Sequence, residues 1–435
     1  MFPRANLVRV LRTADWFHAG PPPNWRGELA LRSSRAQHRC AALRGMSLSM
    51  RQIYLDHNAT TPVLPEVLET LLRYYREDFG NPSSVHRYGR RVRVAVDDAR
   101  DCVADMLGAP ASAIVFSSGG TEANNTILQG VAAARQGRGR HLVTSQIEHP
   151  AVLDTCAYLA QQGYTVTYVP VDAHGVVTPE AVRAVLTDET ILVSIMYANN
   201  ETGVLQPIAD IASLVRQRGI LMHTDAVQAF GKMSLRVEEL GVDFLSFSGH
   251  KLYAPKGTGG WYARPGVPLR ALLHGGHQER GMRAGTEHVA GIVALGQACA
   301  LAQRDMRQEW ERQQQLQQRL EHGIQEQIPE VRIQGAEVPR LPNTTNVAFA
   351  GVEGEALMMS LDLQGVALST GSACSSGSLE PSHVLCAMGV PAAYLHGALR
   401  CSLGRGTTLA DIEYVLEILP GIVQQARALS PSLAP

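Results

Sequence analysis

The sequence has no uninterrupted apolar run approaching the roughly 20 residues that a membrane-spanning helix requires. It has no excess charge of one sign. Its 39 basic and 40 acidic side chains nearly cancel, so no chain-wide field would gather nucleic acid or an anionic membrane. It also lacks a paired cysteine pattern. The seven cysteines, Cys40, Cys102, Cys156, Cys299, Cys374, Cys386 and Cys401, are odd in number and none has CxxC spacing. That argues against a disulfide scaffold and a clustered zinc site, and for free thiols in a reducing, cytoplasmic compartment. The 40 glycines and 23 prolines form no periodic tract, which excludes collagen-like and low-complexity chains. What remains is an ordinary globular composition, 45% apolar and 18% charged. At 435 residues the chain is too long for one ordinary core and implies two or three domains.

Residues 1–49 stand apart. They hold eight arginines, no lysine, and only Asp15 and Glu28 as acids, with a Pro21-Pro22-Pro23 run. An Arg-rich, acid-poor leader fits an organelle transit peptide. The favoured reading is an upstream extension with translation from Met46 or Met50, because no amphipathic helix emerges before the prolines. In either case the segment is not expected to belong to the fold.

From Ile53 onward, short apolar strands alternate with helices. Strands are expected at 53–55, 113–117, 141–145, 164–169, 191–196, 220–223 and 243–247. The intervening helices run over 65–79, 85–108 (with Gly108 as its cap), up to 136, 149–161, 179–186 and 207–218. This order implies an α/β fold with a mostly parallel sheet covered on both faces, whose ligands sit beyond the strand ends. A Gln-, Glu- and Arg-rich helix over 301–328 would link it to a smaller α+β domain. The expected division is a large domain over 61–310 and a small one made of 50–60 with 311–435.

Several polar clusters follow the strands. Ser118-Gly119-Gly120-Thr121-Glu122 reads either as a plain helix start or as a phosphate cradle. In the second case the glycines admit close backbone approach, and Thr121 adds a hydroxyl. It lacks the lysine and spacing of a P-loop, and it is not GxGxxG. In Ser246-Phe247-Ser248-Gly249-His250-Lys251 the lysine is either a surface charge or a Schiff-base former for an aldehyde cofactor, with Ser248 and His250 as phosphate donors. Asp225 ends another strand, where a carboxylate can keep a pyridine nitrogen protonated. Gln228 lies three residues on and could reach a ring oxygen. His149 could stack on the ring and move protons. Cys374 lies among small residues, Ser372-Ala373-Cys374-Ser375-Ser376-Gly377-Ser378, unlike a core segment, and reads as a reactive thiol. Arg400, expected after an apolar helical approach, has the fork that suits a substrate carboxylate.

Together these stretches resemble a known family. Leu55-Asp56-His57-Asn58-Ala59-Thr60-Thr61-Pro62, Asn81-Pro82-Ser83-Ser84, Gly119-Gly120-Thr121-Glu122-Ala123-Asn124-Asn125, Glu148-His149-Pro150 and Asn199-Asn200-Glu201-Thr202-Gly203 are followed in order by others. These are His223-Thr224-Asp225-Ala226-Val227-Gln228, Ser248-Gly249-His250-Lys251, Gly281-Met282-Arg283-Ala284-Gly285-Thr286, Gly371 to Ser382, and Leu399-Arg400. Over about residues 52–433 the chain resembles the cysteine desulfurases of the NifS/IscS class, within the class V aminotransferase group. Its 275–281 stretch is closer in appearance to NifS. Cys401 departs from the family, which usually has Phe there.

The resemblance implies the pyridoxal-phosphate aminotransferase fold (fold type I), the cofactor pyridoxal 5'-phosphate and a homodimer. It implies a reaction that converts L-cysteine to L-alanine and leaves a persulfide on Cys374. The sulfur would go to an iron–sulfur scaffold protein, for general cluster assembly or for nitrogenase. Lys251 would hold the cofactor covalently, and His149 would stack on it. Asp225 would face the ring nitrogen and Gln228 the ring hydroxyl. Gly120, Thr121, Ser248 and His250 would hold the phosphate, with Thr286 from the partner subunit. Asn200 would lie beside cofactor and substrate, and Arg400 would take the substrate carboxylate. Cys374 would also be a transient iron–sulfur ligand shared with the scaffold. A transaminase or lyase on the same fold, a selenocysteine lyase and a non-catalytic sulfur carrier are the competing readings.

Overall fold

The computed structural model describes residues 51–370 and 380–429. The leader and the segment that carries Cys374 lie outside the described residues. From Gln52 onward the chain forms one compact unit.

The elements run in the order β1 (Ile53–Tyr54), α1 (Pro65–Arg76), α2 (Arg87–Leu107), β2 (Ile114–Ser117), α3 (Gly120–Arg135), β3 (His141–Ser145), α4 (Pro150–Gln161), β4 (Thr165–Val169), α5 (Pro179–Val185), β5 (Thr190–Ser194), α6 (Ile208–Arg216), β6 (Leu221–Asp225), α7 (Val237–Leu240), β7 (Phe244–Ser248) and β8 (Gly259–Ala263). After them come α8 (Val289–Gln327), β9 (Val331–Ile333), β10 (Thr344–Phe349), α9 (Gly354–Leu363), β11 (Val366–Ala367), β12 (Ser369–Thr370), α10 (His383–Ala387), α11 (Ala392–Leu395), β13 (Ala398–Ser402) and α12 (Leu409–Leu429).

A seven-stranded sheet has the order β2-β8-β7-β6-β5-β3-β4. Neighbouring strands are parallel except at β8, which is antiparallel to both β2 and β7. Its strands are apolar without alternation because both faces are covered. Leu142 and Leu192 pack into one cluster, and their neighbours Val143 and Val193 into the other. Gly108 caps α2 in the left-handed conformation, φ 61°, as its position in the sequence suggests.

Two features differ from the sequence reading. The strand β8 was not foreseen, because it opens on Gly259-Gly260, residues that normally weaken a strand. Here they are required. A Cβ on Gly260 would stand 2.3 Å from the Val115 carbonyl oxygen, and one on Gly259 would stand 2.7 Å from the Gly119 Cα. The long helix also starts at Val289 rather than 301 and runs 39 residues. Its first part, with Ile292, Leu295 and Cys299, packs on the large sheet. Leu316, Leu320 and Ile324 pack in a second cluster with Ile53, Leu55, Val347, Phe349 and Leu416.

That second cluster covers the four-stranded sheet β12-β13-β10-β9. Strand β1 pairs in parallel with β11, Ile53 opposite Val366. The N-terminal segment thus starts among the C-terminal strands. It then crosses the carboxyl ends of the large sheet, where its backbone becomes part of the site.

Candidate active site

The carboxyl ends of β2, β3, β5, β6 and β7 lead into the turns that carry Gly119, His149, Asn200, Asp225 and Lys251, at the edge where open α/β sheets bind ligands. Gly119 caps α3 at φ 152° and ψ −172°, a conformation that essentially requires glycine. A Cβ added there would stand 3.5 Å from Ser248 Oγ, and one on Gly120 would meet Val227 Cγ2 at 2.6 Å. The helix start and the end of β7 therefore enclose a cradle kept open by the two glycines. The first backbone N–H groups of α3 are available to an anion there. Thr121 is exposed on its rim.

Asp225, the last residue of β6, is buried. It accepts from Asn124 Nδ2 at 2.6 Å and from the Val227 N–H at 2.9 Å. Asn124 Oδ1 in turn accepts from Ser246 Oγ at 2.5 Å. Ser246 Oγ lies 3.3 Å from His223 Nε2, whose Nδ1 is 2.8 Å from Ser194 Oγ. Burial drives His223 down to about 3, so this support is neutral. A buried carboxylate aimed out of such a network is placed to meet a cation above it. Sequence reasoning singled out Asp225 but not Asn124, Ser246 or His223.

His149 caps α4, its Nδ1 accepting from the Ala151 N–H at 3.1 Å. An accepting Nδ1 leaves the ring proton on Nε2. Burial lowers its pKa, Asp225 opposes that shift and Lys251 adds to it, so the ring is neutral near pH 7. The preceding Glu148 is fully buried and accepts from Ser145 Oγ at 2.5 Å and the Met196 N–H at 3.0 Å, while its Oε2 has no partner. Burial lifts it to about 8 despite those donors, so Glu148 is protonated at neutral pH.

Lys251 sits in a 3-10 turn directly after β7. Its ammonium donates to the Asn58 carbonyl oxygen, and to that of Ala59 at 2.8 Å. The same Asn58 carbonyl accepts from Gln228 Nε2 at 3.1 Å. Asn58 Nδ2 donates to the Asn200 carbonyl at 3.2 Å and to Thr344 Oγ1 at 2.8 Å. Asn58 is thus the hub that joins Lys251, Gln228 and Asn200. Its role rests largely on a backbone carbonyl, which no sequence pattern announces. His250 Nδ1 lies 3.2 Å from Thr60 Oγ1, and burial with the nearby Lys251 and Lys256 charges takes it to about 4.

Arg400 is on strand β13, which follows the short helix α11. It pairs in register with Asn346 and Ser369. The side chain is 1% exposed; Nη2 donates to Asp56 Oδ1 at 2.7 Å and Nη1 to the Asn200 carbonyl at 3.2 Å, while Nε is unpartnered. Glu201, beside Asn200, is buried and bonded to Ser382 Oγ at the start of α10, and burial raises it to about 7. Thr286 is exposed on the loop that leads into α8, outside the hydrogen-bonded network of Lys251 and Asp225.

Four of the five described cysteines are poor nucleophiles by position. Cys156 and Cys401 are buried with thiols pushed up to about 12, and burial also raises Cys299 and, less, the half-buried Cys102. Cys401 packs with the second core, on the face of β13 opposite Arg400. Cys386 is exposed on α10. Among the described residues no group of three or more His, Cys, Asp or Glu side chains is placed to hold a metal, and no helix is long and apolar enough to cross a membrane.

This donor set suits a phosphorylated pyridine aldehyde. It offers a glycine-lined anion cradle, a buried carboxylate for a ring nitrogen, and a lysine amine at the same edge of the sheet. Comparison with known proteins agrees. The model of the aminotransferase class-V family matches residues 53–415. A cysteine desulfurase of Trichormus azollae is 51% identical over 382 residues, covering 88% of this chain and 95% of its own. Cysteine desulfurase IscS of Clostridium botulinum is 48% identical over 383 residues, covering 88% and 96%. A solved structure of a NifS-like protein superposes with a TM-score of 0.81 at 40% identity, covering 86% of this chain and all of the other. The chain belongs to the aminotransferase class-V family.

Proposed function

We propose that the protein is a pyridoxal 5'-phosphate-dependent cysteine desulfurase. It converts L-cysteine and its own thiol to L-alanine and a persulfide on Cys374. When bound, the cofactor supplies an electron sink conjugated with the substrate α-carbon. Lys251 would hold it covalently, and its amine would move the substrate α-proton. Asp225, braced by Asn124, keeps the ring nitrogen protonated. Gln228 would face the ring hydroxyl, and His149 would stack on the ring, with its Nε2–H placed to pass a proton. Gly120, Thr121, Ser248 and His250 receive the phosphate. Arg400 and Asn200 orient the substrate through its carboxylate. The Cys374 thiolate attacks the substrate sulfur to form the S–S bond, the carbon–sulfur bond breaks with its electron pair going to the carbon side, and that carbon takes up a proton to leave as alanine.

The reading is supported above all by Lys251, which follows β7 in the turn beside the glycine cradle's strand and is tied through Asn58 and the Asn200 carbonyl to Arg400. The relatives named cysteine desulfurase support the substrate. We extend it to a cytoplasmic homodimer in which Thr286 completes the partner's phosphate site. In this reading Cys374 delivers sulfur to an iron–sulfur scaffold protein, with which it transiently shares a cluster. Nitrogenase maturation is one destination consistent with the NifS-like 275–281 stretch.

Incubation of the reconstituted enzyme with cysteine and a thiol reductant tests the activity. Equimolar alanine and sulfide without a keto acid are expected. A requirement for a keto acid, with no sulfide formed, identifies a transaminase instead.

A further inference from the structure

Only three of the chain's 39 basic residues are lysines: Lys232, Lys251 and Lys256. In a chain that otherwise uses arginine, two of the three meet at one site. Lys256 is exposed. Lys232 is not required by the chemistry above, yet its ammonium lies 3.1 Å from Gln228 Oε1 and 3.4 Å from Asn58 Oδ1. With Lys251 it lines a small cavity of about 40 Å³ that also meets His57, Tyr253, Glu309 and Arg405.

An ammonium only donates, so the amide atom that faces it must be oxygen. With Oε1 turned to Lys232, Gln228 Nε2 is directed at the Asn58 carbonyl, 3.1 Å away. Asn58 Oδ1 is fixed in the same way, supported by Asn343 Nδ2 at 2.9 Å, which leaves Nδ2 for the Asn200 carbonyl. A flip of either amide would set N–H against ammonium. The charges around Lys232 are mostly of its own sign. Lys251 faces it from the turn after β7 and Arg400 from β13, while His57, Arg405 and Glu309 line the shared cavity and Asp56 is engaged with Arg400. Burial, then Lys251, then Arg400 bring Lys232 down to about 7. That repulsion is mutual.

We propose that Lys232 is a positioning residue of this site: its ammonium locks the amides of Gln228 and Asn58 in one orientation and sets a second positive charge against Lys251. Amine attack requires an uncharged nitrogen, and a like charge close by favours that form. The inference rests on reading Lys251 as the cofactor lysine.

Wild type, Lys232→Arg, Lys232→Gln and Lys232→Met, each reconstituted with pyridoxal 5'-phosphate, separate the two roles. The visible absorbance of the lysine–cofactor linkage is titrated between about pH 6 and 10 without substrate. Arg keeps the charge at every pH, whereas Lys232 releases its proton above about 7, so Arg should hold or lower the wild-type midpoint. Gln and Met lack the charge, and relative to Arg the protonated band should persist to higher pH by about one unit. Gln keeps a donor for the two carbonyls. Met does not, and should weaken cofactor binding roughly tenfold more than Gln does. If Met fails to fold, the Arg and Gln pair still decides the charge effect. The same midpoint in Arg as in the folded uncharged variants overturns the proposal. Borohydride fixation of wild-type cofactor on Lys232 or Lys256 would show instead that the Lys251 assignment is wrong, and the inference falls with it.

Discussion

Arg400 and Asp56 form an ion pair at 2.7 Å at the point where a substrate carboxylate would be received. The arginine is 1% exposed and the aspartate side chain 18%. Asp56 therefore compensates a buried cation in the free protein and competes with any incoming carboxylate. Arg400→Lys should raise the KM for cysteine about 10- to 100-fold, since one ammonium cannot reproduce the fork. Asp56→Asn should lower KM by about threefold to tenfold while costing about 3 kcal/mol of stability in the substrate-free protein. Steady-state kinetics and urea unfolding check both. An unchanged specificity constant in Arg400→Lys removes Arg400 from the site.

Lys251→Ala should abolish covalent cofactor attachment and turnover together. Borohydride reduction followed by peptide mass mapping reads the site directly, and with three lysines in the chain the outcome is unambiguous. Label on Lys256 or Lys232 contradicts the assignment.

Glu148 gives a pH dependence with a definite sign. Its folded carboxyl is raised to about 8 by burial, against about 4.3 for an ordinary glutamate. Between those values the folded protein keeps a proton that the unfolded chain has released. Its contribution to stability is thus fully present below about pH 4.3 and is lost as pH rises toward 8, by about 1.4 kcal/mol per unit. Glu148→Gln should remove this slope, so the variant gains on wild type from about pH 5 to pH 8 in urea unfolding. Parallel curves would mean that Glu148 is ionised in the folded protein.

Asn124→Ala should leave Asp225 with the Val227 N–H as its remaining described partner and Ser246 without an acceptor. The expected cost is about 1–3 kcal/mol of stability and a reduced cofactor affinity, measured by equilibrium reconstitution. Wild-type affinity would show that the ring carboxylate needs no support from α3.

The large sheet was legible in the sequence because its strands are short apolar runs buried on both faces and punctuated by polar turns, as at His141–Ser145. Asp225, His149 and Lys251 were legible because reactive side chains stood just beyond those runs. Arg400 does follow a short helix, α11, but its own strand β13 was not read, since a short apolar stretch such as Ala398–Ser402 fits strand and helix patterns equally. Strand β8 was hidden by its glycines, which the structure shows to be demanded by Val115 and Gly119. Asn58 stood in a stretch that carries the resemblance, but its role as a hub was not legible. Its main contact is a carbonyl oxygen that every residue carries, aimed by the path of the chain after β1.

The central claim is that sulfur passes to Cys374, and trapping the persulfide tests it most directly. Wild-type enzyme given cysteine is alkylated and digested, and the modified thiol is located by mass spectrometry, with Cys374→Ala run beside it. Cys156, Cys299 and Cys401 are buried with their thiols held protonated, so they should stay unlabelled. The account predicts a persulfide on Cys374 in wild type. In Cys374→Ala it predicts cysteine-induced spectral change with alanine release at background. A persulfide on Cys401 or Cys386 in wild type, or near-normal alanine from Cys374→Ala, would contradict it.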